Sequence, residues 1–178
     1  MANLAAWYED TRVLDDFEQG DIFTNATIPN IAAVDLSRTQ EIPTRQGSFV
    51  VLTQSCDVPK AESILLAEVY LYSTLQNGPQ SSIFASSKTK DSLIRNRLEH
   101  YFLLPPYGND TKSWSLVSFR NLHVVSLSVL KTLATEAPPI RMASPYKELL
   151  GECFARFMMR VALPEPLDEF KQVKFDRD

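Results

Sequence analysis

The residues with most chemistry to offer lie in a row: Thr53, Gln54, Ser55, Cys56 and Asp57. They follow the apolar run SFVVL and stop short of Pro59. A strand of aromatic and β-branched residues would hold them rigidly while the proline-limited loop beyond admits a ligand. A thiol at Cys56 becomes a nucleophile once a cation or an imidazole lowers its pKa, which suits acyl transfer or hydrolysis. Only His100 and His123 can serve as that imidazole. Neither is tied to Cys56 by spacing, so each also reads as a strand-boundary residue with a satisfied hydrogen bond. The run 53–57 has a second reading too, a turn in which Asp57 accepts backbone N–H bonds as polarity returns after a buried strand. Arg120 and Asn121 follow an alternating run and are candidates to face a binding cleft, with a surface salt bridge as the alternative.

Cys, His and Asp are common metal ligands, but Cys56, Asp57, His100 and His123 lack the close spacing of a metal motif, and neither metal nor cofactor is expected. Cys153 sits in a different setting, inside an apolar stripe, and reads as a small buried hydrophobe. The chain carries no glycine-rich phosphate loop, HExxH helix, GxSxG elbow or dinucleotide-binding fingerprint.

The elements that must position these residues are short strands and one long helix. The run 48–54 and the run 63–69, SILLAEV, read as neighbouring buried strands. Further strand candidates are Ile22-Phe23, 31–36 at an edge, 100–104 stopped by Pro105-Pro106, 114–119 and 122–125. Residues 4–17 offer poorly patterned helical turns, 73–87 a polar loop around Asn77-Gly78-Pro79, 90–99 a narrow helix and 126–133 a helical turn. The clearest element is a helix over 144–163. Ser144 is expected to cap it and Pro145 to occupy its first position. Tyr146, Leu149, Leu150, Cys153, Phe154, Phe157, Met158 and Val161 recur at helical spacing along one face. The fold class expected is mainly β with helices: a small SH3-like barrel or a strongly curved sheet packed against this amphipathic helix.

With 178 residues and 44% hydrophobic residues, the chain suits one globular domain over 1–167, a possible inserted loop and helix at 73–99, and a peripheral tail at 168–178. No basic leader and no membrane-length apolar run is evident, so a cytoplasmic protein that does not meet a membrane is expected. The net charge is −4, with acids crowded between Glu9 and Asp21, which disfavours nonspecific contact with polyanions. The basic group Lys88, Lys90, Arg95 and Arg97 is interleaved with Asp91 and flanked by Glu99, as a solvated face would be.

GDIF at 20–23, FVVLTQSCD at 49–57, ILLAEV at 64–69 and SLVSFRNLHVV at 115–125 follow an order that resembles the SH3-like barrel of MazF/Kid-type toxins. That resemblance spans about residues 18–133. It implies sequence-selective endoribonucleases that dimerise and are inhibited by antitoxins. The family's catalytic arginine precedes the VV-rich strand, where Arg45 is the match. Its catalytic threonine or serine follows the next buried strand, where this chain departs and places Ser73 or Thr74 out of register.

Three functions follow as expectations. The first is a non-catalytic regulatory module that binds a protein partner or small ligand near Cys56 and Asp57, as a homodimer, in a bacterial toxin–antitoxin or phage-defence setting. The second is an SH3-like endoribonuclease using Arg45 and the polar groups near 53–57. The third is a thiol enzyme dependent on Cys56.

Overall fold

The computed structural model describes residues 4–9, 16–34, 37, 41–79, 81–107 and 113–159. Strands β1 (Tyr8–Glu9), β2 (Asp21–Pro29), β3 (Thr44–Val51), β4 (Ile64–Leu71), β5 (Tyr101–Leu104), β6 (Ser115–Val125) and β7 (Ile140–Met142) form one sheet in the order β1-β7-β2-β3-β4-β6-β5. Every pairing is antiparallel. The helices are α1 (Tyr72–Asn77), α2 (Ser81–Phe84), α3 (Ser87–Ile94), α4 (Leu127–Glu136) and α5 (Tyr146–Met158).

Alternation along β3 decides the layering. Phe49 and Val51 point to the face that α4 covers with Leu130 and Leu133, while Val50 and Leu52 point to the face that α5 covers with Leu150 and Cys153. Because both faces are covered, the central strands read as apolar runs rather than alternating ones. A third cluster, Phe84, Leu93 and Leu116, seats α2 and α3 on the far end of the α4 face.

The sheet does not close: β1 and β5 remain its two edges among the described residues. The fold is therefore mixed, roughly a third helical, and the closed barrel is replaced by an open sheet with helices on both faces. Several local expectations change with it. The edge strand at 31–36 is a single 3-10 turn, Ile31–Ala33, with residues 35–36 outside the described set. The loop at 73–87 is largely helical, and Tyr72 meets the buried Phe84 ring edge-on at 6.0 Å between centroids. The two candidates at 114–119 and 122–125 are one strand interrupted by a bulge. Strand β7 had no counterpart in the sequence pattern.

Helix α5 starts later than expected. Pro145 precedes its first turn, and the Ser144 hydroxyl donates to the Glu148 carboxylate (2.6 Å) instead of accepting an amide. Residues 160–163 of the expected helix and the tail 168–178 lie outside the described set. The helix is pinned at its start: Trp7 stacks on Tyr146 at 3.9 Å. An ion network then ties β2, β7 and α5. Asp21, fully buried, accepts from Arg141 Nε (2.7 Å) and Nη2 (2.9 Å) and from the Glu18 amide (2.8 Å). Glu18 in turn bridges Arg141 (3.1 Å) and Lys147.

The hydrogen bond from Lys147 and the charge of Arg141 hold the Glu18 carboxyl below its ordinary range, against the opposing effect of burial. A depressed carboxyl stabilises the fold above its unfolded pKa, and that contribution is lost as pH falls through the folded value. Glu18→Gln should therefore flatten the loss of stability on acidification below about pH 4.5, read as urea midpoints across pH. Gly20 marks the same corner. Its φ of +87° is left-handed, and a Cβ there would stand 3.0 Å from the Cβ atoms of Met142 and Lys147. Gly20→Ala should lower stability by about 1–3 kcal/mol in denaturant unfolding.

Candidate active site

On the α4 face of the sheet, where the apolar cluster under α4 gives way to the one under α2 and α3, four polar side chains converge. β3 aims Arg45, Gly47 and Phe49 at this face, and β4 aims Leu66, Glu68 and Tyr70. In the ladders Phe49 lies opposite Glu68, Glu68 opposite Ser118, and Leu66 opposite His123. Between Ser118 and Leu122 strand β6 carries extra residues that β4 does not match, which sets the register that brings His123 beside Glu68.

Glu68 is the hub. Its side chain is only 6% exposed. It accepts from Arg45 Nε on Oε1 (2.7 Å) and from Arg45 Nη2 on Oε2 (3.3 Å). Tyr70 donates its hydroxyl to Oε2, and His123 Nε2 lies 3.1 Å from Oε1. A carboxylate so buried persists as an ion only when paired and hydrogen-bonded, and these three donors meet that need. Because a carboxylate only accepts, this contact assigns the donor role to His123 Nε2 and leaves Nδ1 as the other ring nitrogen. The imidazole meets the Phe49 ring edge-on at 5.4 Å, so packing fixes it as well as the hydrogen bond.

Exposure divides the roles. His123 is 14% exposed and Arg45 is 47% exposed. A buried carboxylate therefore holds a half-exposed guanidinium and a largely buried imidazole. Such a set can bind an anionic oxygen at Arg45 and transfer a proton at His123, with Glu68 orienting both.

The structure thus unites Arg45 with His123, and not with the other candidates. Thr53 to Asp57 build the turn after β3. The Thr53 hydroxyl accepts the Leu65 amide (2.8 Å), the Ser55 hydroxyl accepts the Gln19 amide (3.2 Å), and the Gln54 carbonyl accepts the amides of Asp57 (2.9 Å) and Val58 (3.1 Å). Asp57 starts the following 3-10 turn without a side-chain capping bond. Cys56 is exposed there, whereas Cys153 is buried under α5 and burial pushes its thiol up. Iodoacetamide at neutral pH should accordingly label Cys56 and spare Cys153, as read by peptide mass mapping.

His100 belongs to another neighbourhood. Arg120 Nη2 donates to its Nε2 (3.3 Å), and its ring meets Phe157 of α5 at 6.3 Å. Asn121 accepts the Ser118 hydroxyl (2.8 Å) within the bulge. In α3, Lys88 and Lys90 are exposed, and Asp91 pairs with Arg95 just past its end (3.1 Å). Among the described residues no three His, Cys, Asp or Glu side chains form a set able to hold a metal ion. No helix among them is long and apolar enough to cross a membrane.

Sequence reasoning missed Glu68 and Tyr70. The available signal was a lone carboxylate inside an apolar run, ILLAEVYL, since burying a charge demands partners. No family model, curated protein or solved structure matches the chain.

Proposed function

We propose that the protein is an endoribonuclease whose active site is Arg45, Glu68, Tyr70 and His123. The observation that carries this reading is the buried Glu68 carboxylate, which holds an exposed arginine and a largely buried histidine on one face of the sheet. Cleavage of RNA by its own 2′-hydroxyl needs a proton acceptor and a cation near the phosphorus. In the reaction proposed, the 2′-oxygen bonds to phosphorus as its proton passes to His123 Nδ1. The bond from phosphorus to the 5′-oxygen then breaks, and that oxygen takes a proton from water. The products are a 2′,3′-cyclic phosphate and a 5′-hydroxyl, and His123 returns its proton to solvent. Glu68 stabilises the imidazolium, Arg45 binds the negative phosphoryl oxygens, and Tyr70 holds Glu68 in place.

Kinship with MazF/Kid-type toxins, a cytoplasmic role in toxin–antitoxin or phage-defence systems and a homodimeric state belong to the same proposal. Incubation with a diverse pool of RNAs should give cleavage that Arg45→Ala reduces about 10²- to 10³-fold, the usual effect of removing one group that stabilises transition-state charge. Absence of cleavage by the wild-type protein across that pool would overturn the reading.

A second reading keeps the same surface as a binding face without turnover. It is favoured by the saturation of Glu68, whose two oxygens already accept from three side chains, as in a rigid recognition surface. Under it, the wild-type protein retains a protein partner that Arg45→Ala releases, and no RNA is cut.

A further inference from the structure

A cavity of about 300 Å³ lies beyond Tyr70 on the same sheet face. It is lined by Tyr72, Gln76, Lys90, Leu93, Leu103 and Trp114. Strand β4 runs directly into it: Tyr70 pairs with Leu116, Leu71 with Ser115, and the Tyr72 amide donates to the Trp114 carbonyl (2.9 Å). Two strand residues advance about 7 Å, so Tyr72 stands on the order of 13 Å past Glu68, a distance that a short stretch of extended single strand covers.

Two of the walls are aromatic, Tyr72 and Trp114. Trp114 is 41% exposed despite its size. Tyr72 is held by a hydrogen bond from its hydroxyl to the Phe84 carbonyl, and partial burial raises the pKa of that phenol. Leu93 closes the floor, almost fully buried. Gln76 brings an amide that both donates and accepts, and exposed Lys90 brings a cation. Single-stranded RNA is read by stacking unpaired bases on aromatic rings and hydrogen-bonding their edges, with cations tracking the backbone. The volume lies at the small end of ligand sites and suits one base rather than a peptide helix.

We infer that this cavity is a nucleobase subsite: it takes one unpaired base of an RNA strand whose scissile phosphate lies at Arg45, and it sets sequence preference. Trp114 and Tyr72 stack on the base, Gln76 reads its edge and Lys90 binds the adjoining phosphate. The subsite is formed by α1, α3 and the start of β6, so preference and cleavage sit on different elements. This inference rests on the endoribonuclease reading for its substrate, yet the pocket can be tested without turnover.

Two measurements separate the claims. Nucleoside monophosphates should quench tryptophan emission of the wild-type protein, while ribose 5-phosphate does not, and Trp114→Phe should abolish the quenching. In the RNA pool, Trp114→Ala should flatten the base preference at one position near the cut and lower turnover of the preferred sequence roughly 5- to 150-fold, the range of one stacked base. Trp114→Phe should restore the preference. Quenching without any cleavage would retain the pocket and remove the cleavage site. Cleavage with an unchanged preference in Trp114→Ala, or quenching by ribose 5-phosphate alone, would overturn the subsite.

Discussion

His123→Gln should lower RNA cleavage about 10²- to 10⁴-fold, the usual share of a general acid–base group, while leaving the fold intact. Glutamine retains an N–H that can reach Glu68 Oε1, now 3.1 Å from His123 Nε2, but it has no basic ring nitrogen to accept a proton. Stability and proton transfer are thus separated in one substitution. Glu68→Gln would not separate them. It removes the anion from a buried site that faces Arg45 and His123, so both stability and turnover should fall. The comparison is made by single-turnover cleavage alongside urea unfolding of the same preparations.

Arg141→Met should cost about 3–5 kcal/mol of stability, because it leaves the fully buried carboxylate of Asp21 without its counter-charge. Against a total of about 5–15 kcal/mol for a typical domain, that is a large fraction. Arg141 also accounts for the bridge to Glu18, and through Glu18 and Lys147 for the seat of α5. Its guanidinium is held charged beyond its ordinary range by the Asp21 carboxylate, although burial opposes this. The double variant Asp21→Asn, Arg141→Met should recover part of the loss, since no uncompensated charge remains. Urea unfolding of the two single variants and the double measures that coupling. A loss under 1 kcal/mol in Arg141→Met would mean that Asp21 finds another partner.

What the sequence conveyed about the fold depended on burial. The face of α5 was legible because Tyr146, Leu150 and Cys153 repeat at helical spacing and pack together on the sheet. The runs around Val50 and Leu66 were legible because strands covered on both faces are apolar without interruption. Helices α1 and α2 were not, since Ser73, Thr74, Gln76, Ser81 and Ser82 carry no stripe and the two helices pack through Tyr72, Leu75 and Phe84. Strand β7 is three residues long, and its pairing with Asp21 and Ile22 comes from a partner 120 residues away.

The candidate site divides in the same way. Arg45 and His123 drew attention by residue type, but nothing local linked them. Their link is Glu68, whose neighbours in sequence are Ala67 and Val69, and whose partners arrive from β3 and from the far side of the β6 bulge. Cys56 and Asp57 drew attention by clustering, and their cluster is a turn whose hydroxyls and carbonyls close the end of β3. Proximity along the chain favoured the turn. Register across the sheet assembled the other group.

The most direct test of that group is the chemistry of the ends it would leave. After incubation of purified protein with a diverse RNA pool, sequencing of both fragment ends should show 2′,3′-cyclic phosphates paired with 5′-hydroxyls for the wild type, and loss of those ends with His123→Gln. Equal yields of the same ends from wild type and His123→Gln, or 5′-phosphate ends from either, would contradict an active site at Arg45, Glu68, Tyr70 and His123.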